Sequence, residues 1–440
     1  MPFDALFVPP DLRDATGERG WLQAMLDFEA GLSVAQARAG LIPEDAAREI
    51  VAACVAEGFD FEALALAGRE AGNPAAPLVE ALGGAVGAEA ARYVHRGATS
   101  QDVMDTAAVL VTRRALGPIG VELAGVAAAC AALASEHRNT PMAARTLLQQ
   151  ALPTTFGLKA AGWLVAVDEA RDRLDALTFE VELGGAAGTL ASLGPDGLRV
   201  LSLLAAELEL GEPVLPWHTR RLRIGEAGAA LALTAGTLEK IALDVKLLAQ
   251  TEVGEVAESA AGGRGGSSTL PHKRNPVGAA LGIACAHGAR GAASVLIGAL
   301  AQEHERAAGA WQAEWEALSR ALALAGGAAA GVRESLDGLE VRPERMRANL
   351  EATGGLALAE SVSTLLAERL GRGEAKRVVG EAARRAAAAE RPLRDELVDD
   401  RAIELSAEEI DRALDPAAYL GSAEAFVDRA LAAHREREEG

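Results

Sequence analysis

The side chains best suited to chemistry lie in one short polar stretch, residues 262–276, which reads GGRGGSSTLPHKRNP. Serine is a poor acid or base unless its surroundings stabilise the alkoxide. Here two hydroxyls, Ser267 and Ser268, follow a pair of glycines whose backbone N–H groups can approach closely, and His272 and Lys273 are within reach. The stretch therefore predicts a site that binds a small anion and moves a proton. The alternative is a flexible glycine loop with solvated charges.

A second candidate group stands at the start of a predicted helix. His95 and Arg96 precede Thr99 and Ser100, and the helix begins near the next residue. Hydroxyls and free N–H groups at the positive end of a helix form a site for a carboxylate. Taken alone, these residues are more typical of an ordinary N-cap.

Two further groups are polar but less distinctive. Arg145 and Gln150 fall in residues 140–153, which we interpret as a polar link between helices with groups that can hydrogen-bond a substrate. The alternative for this link is a capped loop. Glu305 and Arg306 are predicted to lie in a helix, where they can orient other groups or simply form a solvated pair.

The sequence favours neither a metal nor a cofactor. The three cysteines are far apart and show no ligand spacing, so they are predicted to be small buried residues. Four further histidines are isolated and show no zinc-ligand spacing: His137, His218, His287 and His434.

Composition limits the partners of the chain. Its 440 residues carry a net charge of −20, which repels nucleic acid and anionic membranes and requires local cations at any anion site. The first twenty residues contain acids and no apolar run, so cytoplasm is the expected location.

The elements that must position these groups are helices. Aromatic residues make up only 3% of the chain, and a core of Ala, Leu and Val suits closely packed helices. We predict an all-α fold with a central bundle of very long helices at 101–345, an N-terminal helical domain at 1–100 and a C-terminal one at 346–440. One helix is predicted from 219 to about 259 and another from 276 towards 326. Such helices expose apolar stripes, so a homo-oligomer is expected.

Together these pieces resemble the fumarase/aspartase superfamily. The resemblance is carried by residues 95–106, 145–157 and 262–276, in this order, and is strongest over the eleven positions GSSTLPHKRNP, 266–276. It implies a homotetramer whose central bundle contains helices of all four subunits, with each active site assembled from three chains.

This sequence departs from the adenylosuccinate lyase branch of the superfamily at several positions, and these departures limit the possible substrates. That branch places histidines where this chain has Leu147 and Gln150, and a His-Asp pair where it has Gly72-Asn73-Pro74. Its phosphate-binding serine and arginine correspond to Gln312 and Trp315, and an indole cannot replace a guanidinium on a phosphate. The departures favour a cycloisomerase branch whose substrate is a small tricarboxylate without a nucleotide.

The resemblance also implies roles for the candidate residues. Ser267 donates the proton, and Lys273 with Asn275 holds the carboxylate that becomes an aci-anion. Substrate carboxylates are assigned to His95, Arg96, Thr99, Ser100, Arg145, Gln150, Ser268, His272, Asn275 and Arg306. Two alternatives stay open: a fumarate-releasing lyase of the adenylosuccinate or argininosuccinate type, and an inactive structural homologue of the kind found among lens crystallins.

Overall fold

Helices dominate the computed structural model of the chain, which describes residues 3–266, 269–270 and 272–439. The longest helix has 37 residues and a buried seam that includes Ile119, Leu123 and Val126. The predicted all-α class is confirmed. The long helices are Glu18–Arg38, Ser100–Glu136, Phe156–Asp175, Leu222–Leu248, Val277–Gly298 and Ala310–Leu336.

Shorter helices account for much of the remaining chain. Local side chains begin several of them: Asp60 accepts a hydrogen bond from the Ala63 N–H, and Ser406 and Glu409 form a capping box. The shorter helices are Asp4–Phe7, Pro10–Thr16, Glu44–Ala53, Phe61–Ala71, Ala75–Ala85, Ala88–Ala91, Gly197–Glu207, Pro343–Glu351, Ala359–Leu370, Arg372–Ala388, Leu393–Asp399, Ala407–Ala413 and Ala423–Glu439.

The contacts divide the chain into two compact units, each made of three separate pieces. The first unit contains Met1–Leu123, Ala170–Glu239 and Leu281–Gly331. The second contains Ala124–Glu169, Lys240–Ala280 and Val332–Gly440. The division into domains at 1–100, 101–345 and 346–440 stays a prediction.

The prediction of a polar link between helices at residues 140–153 is wrong, because these residues belong to a β-hairpin. Strand Pro141–Thr146 pairs antiparallel with Gln149–Thr155, and Thr146 faces Gln149 across the turn. Sequence patterns missed the hairpin because its turn is Leu147-Leu148 rather than the Asn-Gly or Asp-Gly that marks a two-residue turn. A second pair of strands, Val256–Ala257 and Glu340–Val341, is also antiparallel.

The two longest predicted helices are shorter than expected. The helix starting near residue 219 ends at Leu248, where the chain turns back through Gly254 (φ +63°) and the Glu255 N–H donates to the Leu248 carbonyl at 2.9 Å. The helix after Pro276 stops at Gly298, and the next one starts only at Ala310. Consequently Glu305 and Arg306 lie in a connecting segment, not in a helix.

The tip of the hairpin is strained and exposed. Leu147 and Leu148 have φ values of +49° and +65°, the positive-φ pair of a type I′ turn, although neither is glycine. Their exposed fractions are 97% and 80%, so no packing within the chain offsets this backbone cost.

Replacing both leucines by the favoured turn pair, Leu147→Asn with Leu148→Gly, is expected to raise the free energy of unfolding by about 1–2 kcal/mol. Asn and Gly adopt positive φ at little cost, whereas leucine does not. Urea unfolding of the two proteins measures the difference. A loss of stability in the variant would contradict the prediction and would indicate that the leucines pack against another molecule.

Two helices are long and apolar enough to cross a membrane by length and composition alone. They are Ser100–Glu136, with a window of mean hydropathy 1.7, and Val277–Gly298, with one of 1.4. Core helices of soluble proteins pass the same test, so this is weak evidence for a membrane. Only 33% of each window is buried within the chain, so both helices carry apolar surface that is not covered by the chain itself.

Candidate active site

The polar loop 262–276 is tied together at its base. The Asn275 backbone N–H and its side-chain Nδ2 both donate to the Gly265 carbonyl, at 2.9 and 3.0 Å. Gly265 has φ +68°, and a Cβ there would lie 2.4 Å from the Asn275 carbonyl oxygen, so only glycine fits. Ser267 and Ser268, the residues on which the sequence prediction depends most, lie outside the described residues.

The far side of this loop presents two basic side chains to solvent. His272 and Lys273 are exposed, and the Lys273 N–H donates to the Leu270 carbonyl at 3.0 Å. Arg274 instead points into the protein, where its Nη2 donates to the Glu258 carbonyl at 2.6 Å. The Glu258 carboxylate accepts the N–H groups of Gly278 and Ala279 and so caps the next helix. Anchors on both sides therefore hold the loop that carries Lys273.

In the first unit, two candidate groups meet at the start of the helix Ser100–Glu136. Arg306 donates from Nη1 to the Thr99 hydroxyl at 2.6 Å and from Nε to the Gln101 side-chain oxygen at 3.2 Å. The Thr99 N–H donates to the Asp102 carboxylate at 2.8 Å, which is an N-terminal cap. Because the Thr99 oxygen accepts from Arg306, its own O–H remains a donor. Thr99 and Arg306 are thus brought together beside Ser100, and the binding of a carboxylate by these three residues stays a prediction.

His95 and Arg96 are engaged mainly within the protein. The His95 Nδ1 lies 2.6 Å from Oε1 of the buried Glu29. Burial alone would lower the pKa of His95, but the charge of Glu29, its hydrogen bond and the charge of Asp102 together raise that pKa. Arg96 is exposed and donates from Nη1 to the Leu41 carbonyl at 2.7 Å. Substrate contacts for these two residues stay predictions.

Beneath the helix start lies a buried cluster that sequence reasoning missed. His218, expected to be isolated, places its Nε2 2.7 Å from Asp102 Oδ1 and 3.6 Å from Glu182 Oε1. The same Asp102 carboxylate accepts the N–H groups of Gly184 and Gly185 at 2.9 and 3.0 Å. Asp102, Glu182 and His218 each place one possible metal-ligand atom within 4.8 Å of the others, as in a metal site. However, both oxygens of Asp102 are already occupied by N–H donors, so the cluster fits a structural role.

The surroundings of Glu182 in this cluster shift its pKa. Burial, followed by the charges of Asp102 and Asp105, raises its pKa well above the ordinary 4.5. Above pH 4.5 the unfolded chain releases a proton that the folded chain retains, so the folded state loses stability as pH rises.

We expect Glu182→Gln to increase the free energy of unfolding at neutral pH, because a neutral amide removes this loss. The gain should shrink to zero below pH 4.5, where Glu182 is protonated in both states. Urea unfolding at about pH 4 and about pH 7 measures the difference. A difference between the two proteins that does not change with pH would contradict the expectation.

A second buried network continues from the same helix. Arg221 is almost fully buried and binds Asp105 through Nη1 and Nη2, at 2.7 and 3.0 Å. On its other edge it binds Glu314 through Nε at 3.1 Å. Trp311 Nε1 also donates to Asp105, at 2.9 Å. Gln101 donates to Asp105 at 3.1 Å. Because Gln101 also accepts from Arg306, the network holds a partner of Arg306 in place.

In the second unit, Arg145 lies on the hairpin and binds Glu255 through both Nη atoms, at 2.9 and 2.6 Å. Gln150 is the backbone partner of Arg145 in the opposite strand, and its side chain is exposed. The sequence analysis identified Arg145 and Gln150, but it did not identify Glu255, the buried carboxylate that binds Arg145.

The positions compared with a phosphate site are apolar or internally bonded. Gln312 accepts the Gly309 N–H through its side chain at 3.0 Å. Trp315 packs edge-on against Trp311, with ring centroids 4.9 Å apart. Trp315 also lines a cavity of about 570 Å³ in the first unit, together with Trp21 and Met104. The indole of Trp315 offers no donor fork for a phosphate, whereas Arg13 and Arg320 line other parts of this cavity.

The candidate residues therefore form two described groups. His95, Arg96, Thr99, Ser100 and Arg306 belong to the first unit, and Arg145, Gln150, His272, Lys273 and Asn275 belong to the second. Each group contains cations and other hydrogen-bond donors of the kind that bind carboxylates.

Family models identify the class of protein to which this fold and these groups correspond. A model described as Lyase matches residues 8–291, and one described as Adenylosuccinate lyase C-terminus matches residues 355–430. The chain belongs to this lyase family, and its predicted place in the fumarase/aspartase superfamily is confirmed.

Individual relatives are similar over nearly their whole length. The chain is 51% identical to a 3-carboxy-cis,cis-muconate cycloisomerase from Pseudomonas aeruginosa, over 98% of this chain and 96% of the relative. It is 48% identical to a nitrosuccinate lyase from Streptomyces davaonensis, over 95% and 91%. The solved structure of the 3-carboxy-cis,cis-muconate lactonizing enzyme from Pseudomonas putida superposes with a TM-score of 0.95, at 48% identity and 99% coverage of both chains.

Proposed function

We propose that this chain is a cycloisomerase that converts 3-carboxy-cis,cis-muconate to 4-carboxymuconolactone, a step in the protocatechuate branch of the β-ketoadipate pathway. The observation that carries the proposal is the 51% identity over 98% of the chain to the enzyme of this name from Pseudomonas aeruginosa. The loop GSSTLPHKRNP and the apolar Trp315 agree with a substrate that is a polyacid without a phosphate.

The reaction joins one substrate carboxylate oxygen to a carbon of a conjugated double bond and delivers a proton to the neighbouring carbon. The intermediate carries its negative charge as an aci-carboxylate beside that second carbon, and fixed donors must stabilise this charge. Ser267 gives the proton, while the Lys273 ammonium and the second N–H of Asn275 Nδ2 hold the aci-carboxylate. The nucleophile is internal, so no separate acid is needed for a leaving group, and this accounts for Leu147 and Gln150 in place of histidine.

The other substrate carboxylates are assigned to the remaining groups. At the helix start, Thr99 offers its O–H, Ser100 offers its N–H and hydroxyl, and Arg306 supplies the positive charge. Arg145 and Gln150 contribute from the hairpin. His95, Arg96, Ser268 and His272 complete the set of substrate-binding candidates.

The active form is a homotetramer located in the cytoplasm, with each site built from several chains and no cofactor. The association of several chains is supported by the apolar windows of Ser100–Glu136 and Val277–Gly298, of which only 33% is buried within one chain. Packing copies of the long helices side by side covers this surface.

A fumarate-releasing lyase is the second candidate function, and one observation favours it. The nitrosuccinate lyase from Streptomyces davaonensis is 48% identical over 95% of this chain, almost as similar as the cycloisomerase. Both reactions pass through an aci-type anion, so the same loop can serve either.

A substrate panel separates the two candidates. The purified protein is mixed in turn with 3-carboxy-cis,cis-muconate, nitrosuccinate and adenylosuccinate. Loss of the conjugated-diene absorbance with the first compound alone is the expected result. Release of fumarate from nitrosuccinate or adenylosuccinate, with no change in the muconate, would reject the cycloisomerase in favour of the lyase.

A further inference from the structure

We propose that Glu255 is a positioning residue of the reaction, which holds the Arg145 guanidinium in one orientation so that its remaining N–H groups meet a substrate carboxylate. The inference rests on the proposed function, in which Arg145 binds substrate. Glu255 itself is fully buried and acts only through its neighbour.

The contacts of the Glu255 carboxylate leave it no freedom. Oε2 accepts from Arg145 Nη1 at 2.9 Å, and Oε1 accepts from Arg145 Nη2 at 2.6 Å. Oε1 also accepts from Asn349 Nδ2 at 2.8 Å. The two parallel N–H···O bonds form the fork that a carboxylate and a guanidinium prefer. The Glu255 side chain is 0% exposed and that of Arg145 is 24% exposed, so part of the Arg145 side chain remains accessible.

The backbone around Glu255 is fixed as well. Its N–H donates to the Leu248 carbonyl at 2.9 Å, and its carbonyl accepts the Arg342 N–H at 3.0 Å. The next residue, Val256, pairs with Val341 in the short sheet. By contrast, Arg145 follows a shift in register of the hairpin, between Ala143 and Arg145. A shift of this kind re-aims the side chain beside it, and here that side chain meets a rigidly mounted carboxylate.

This arrangement changes how Arg145 can act. A guanidinium has five N–H groups in a fixed plane. In Arg145, Glu255 uses two of them, and Nη1 also donates to the Ala143 carbonyl at 3.5 Å. The others stay in a defined direction, so binding a carboxylate does not have to order a long flexible side chain. Glu255 also balances the charge of Arg145. Arg145 therefore contributes oriented donors, and the net positive charge of the site must come from other cations such as Lys273.

Glu255→Gln tests the proposal. The amide keeps the shape of the side chain, but it accepts at one oxygen only and places an NH₂ group against the guanidinium. We expect KM for 3-carboxy-cis,cis-muconate to rise about tenfold or more, with kcat changed less than about threefold, because ground-state positioning is lost while the proton-transfer groups are untouched. An unchanged KM in a folded variant would overturn the proposal.

A double-mutant cycle shows whether the effect passes through Arg145. If it does, adding Glu255→Gln to Arg145→Met changes KM by less than about twofold. An equal increase with and without Arg145 would mean that Glu255 acts in some other way, and the proposal would fail. Asn349→Ala removes the third hydrogen bond to Glu255, together with the bond from Asn349 Nδ2 to the Val253 carbonyl at 2.8 Å. It should raise KM by a smaller factor, and it serves as the test if Glu255→Gln does not fold.

A matched control is available in the same unit. Asp168 faces His434 at 2.8 Å, and both side chains are 13% exposed. Asp168→Asn also converts a mostly buried acid to an amide, but it should leave KM unchanged. An equal rise in KM in this control would assign the effect of Glu255→Gln to general loss of structure and would overturn the positioning role.

Calorimetric binding of tricarballylate, an unreactive tricarboxylate, distinguishes failure of this inference from failure of the proposed function. If the parent protein binds tricarballylate but does not convert the muconate, the function is wrong, and weaker binding by Glu255→Gln still supports the positioning role. Equal binding by parent and variant overturns that role even if the function is right. If the parent binds neither compound, both proposals fall.

Discussion

Ser267→Ala is expected to lower kcat for 3-carboxy-cis,cis-muconate by at least about 100-fold, because the variant lacks the group that is proposed to transfer the proton. KM should change much less, since the carboxylates are assigned to other residues. Steady-state kinetics measure both values, and size-exclusion chromatography with light scattering shows whether the oligomer is intact.

Ser294→Ala is the matched control for this experiment. Ser294 lies on the helix Val277–Gly298, where its hydroxyl donates to the Gly291 carbonyl at 2.7 Å, and no role in the site is assigned to it. Removing that hydroxyl should leave kcat unchanged. A rate for Ser267→Ala close to that of the parent protein would reject the proton-donor role, whatever the substrate.

Arg221→Met is expected to reduce the free energy of unfolding by about 3–5 kcal/mol, because it leaves two carboxylates buried without their cation. Arg221 lies between Asp105 and Glu314, and all three side chains are almost fully buried. Burial raises the pKa of Glu314 despite its hydrogen bond to Arg221. Without the guanidinium this carboxyl should keep its proton to a still higher pH.

Urea unfolding at neutral and acidic pH measures the effect. The loss of stability should be largest at neutral pH and smaller in acid, where the carboxyls are protonated in both states and the missing cation matters less. Arg377→Met is the comparison, since Arg377 pairs with Glu374 and Glu381 at the surface and should contribute little. A loss for Arg221→Met no greater than that for Arg377→Met would show that the buried network does not stabilise the fold.

Local patterns predicted the parts of the molecule that depend on nearby residues. The glycines and polar residues of 262–276 predicted a loop between helices, and Asn275 is bonded back to Gly265 within it. The start of a helix at Ser100 follows from the capping residues Thr99 and Asp102, which are three positions apart. Helix ends were less predictable, because the turn at Gly254 and the break before Ala310 have no strong proline signal.

The sequence by itself determined the all-α class, the superfamily and the donors that can bind a polyacid, because helix propensity and a contiguous motif are local properties of the chain. Only the tertiary structure decided which partners fix those donors. Glu255 meets Arg145 across 110 positions and His218 meets Asp102 across 116, so no spacing rule connects them. Their pairing follows from burial, since a charge removed from water must find its counter-charge wherever the fold places one.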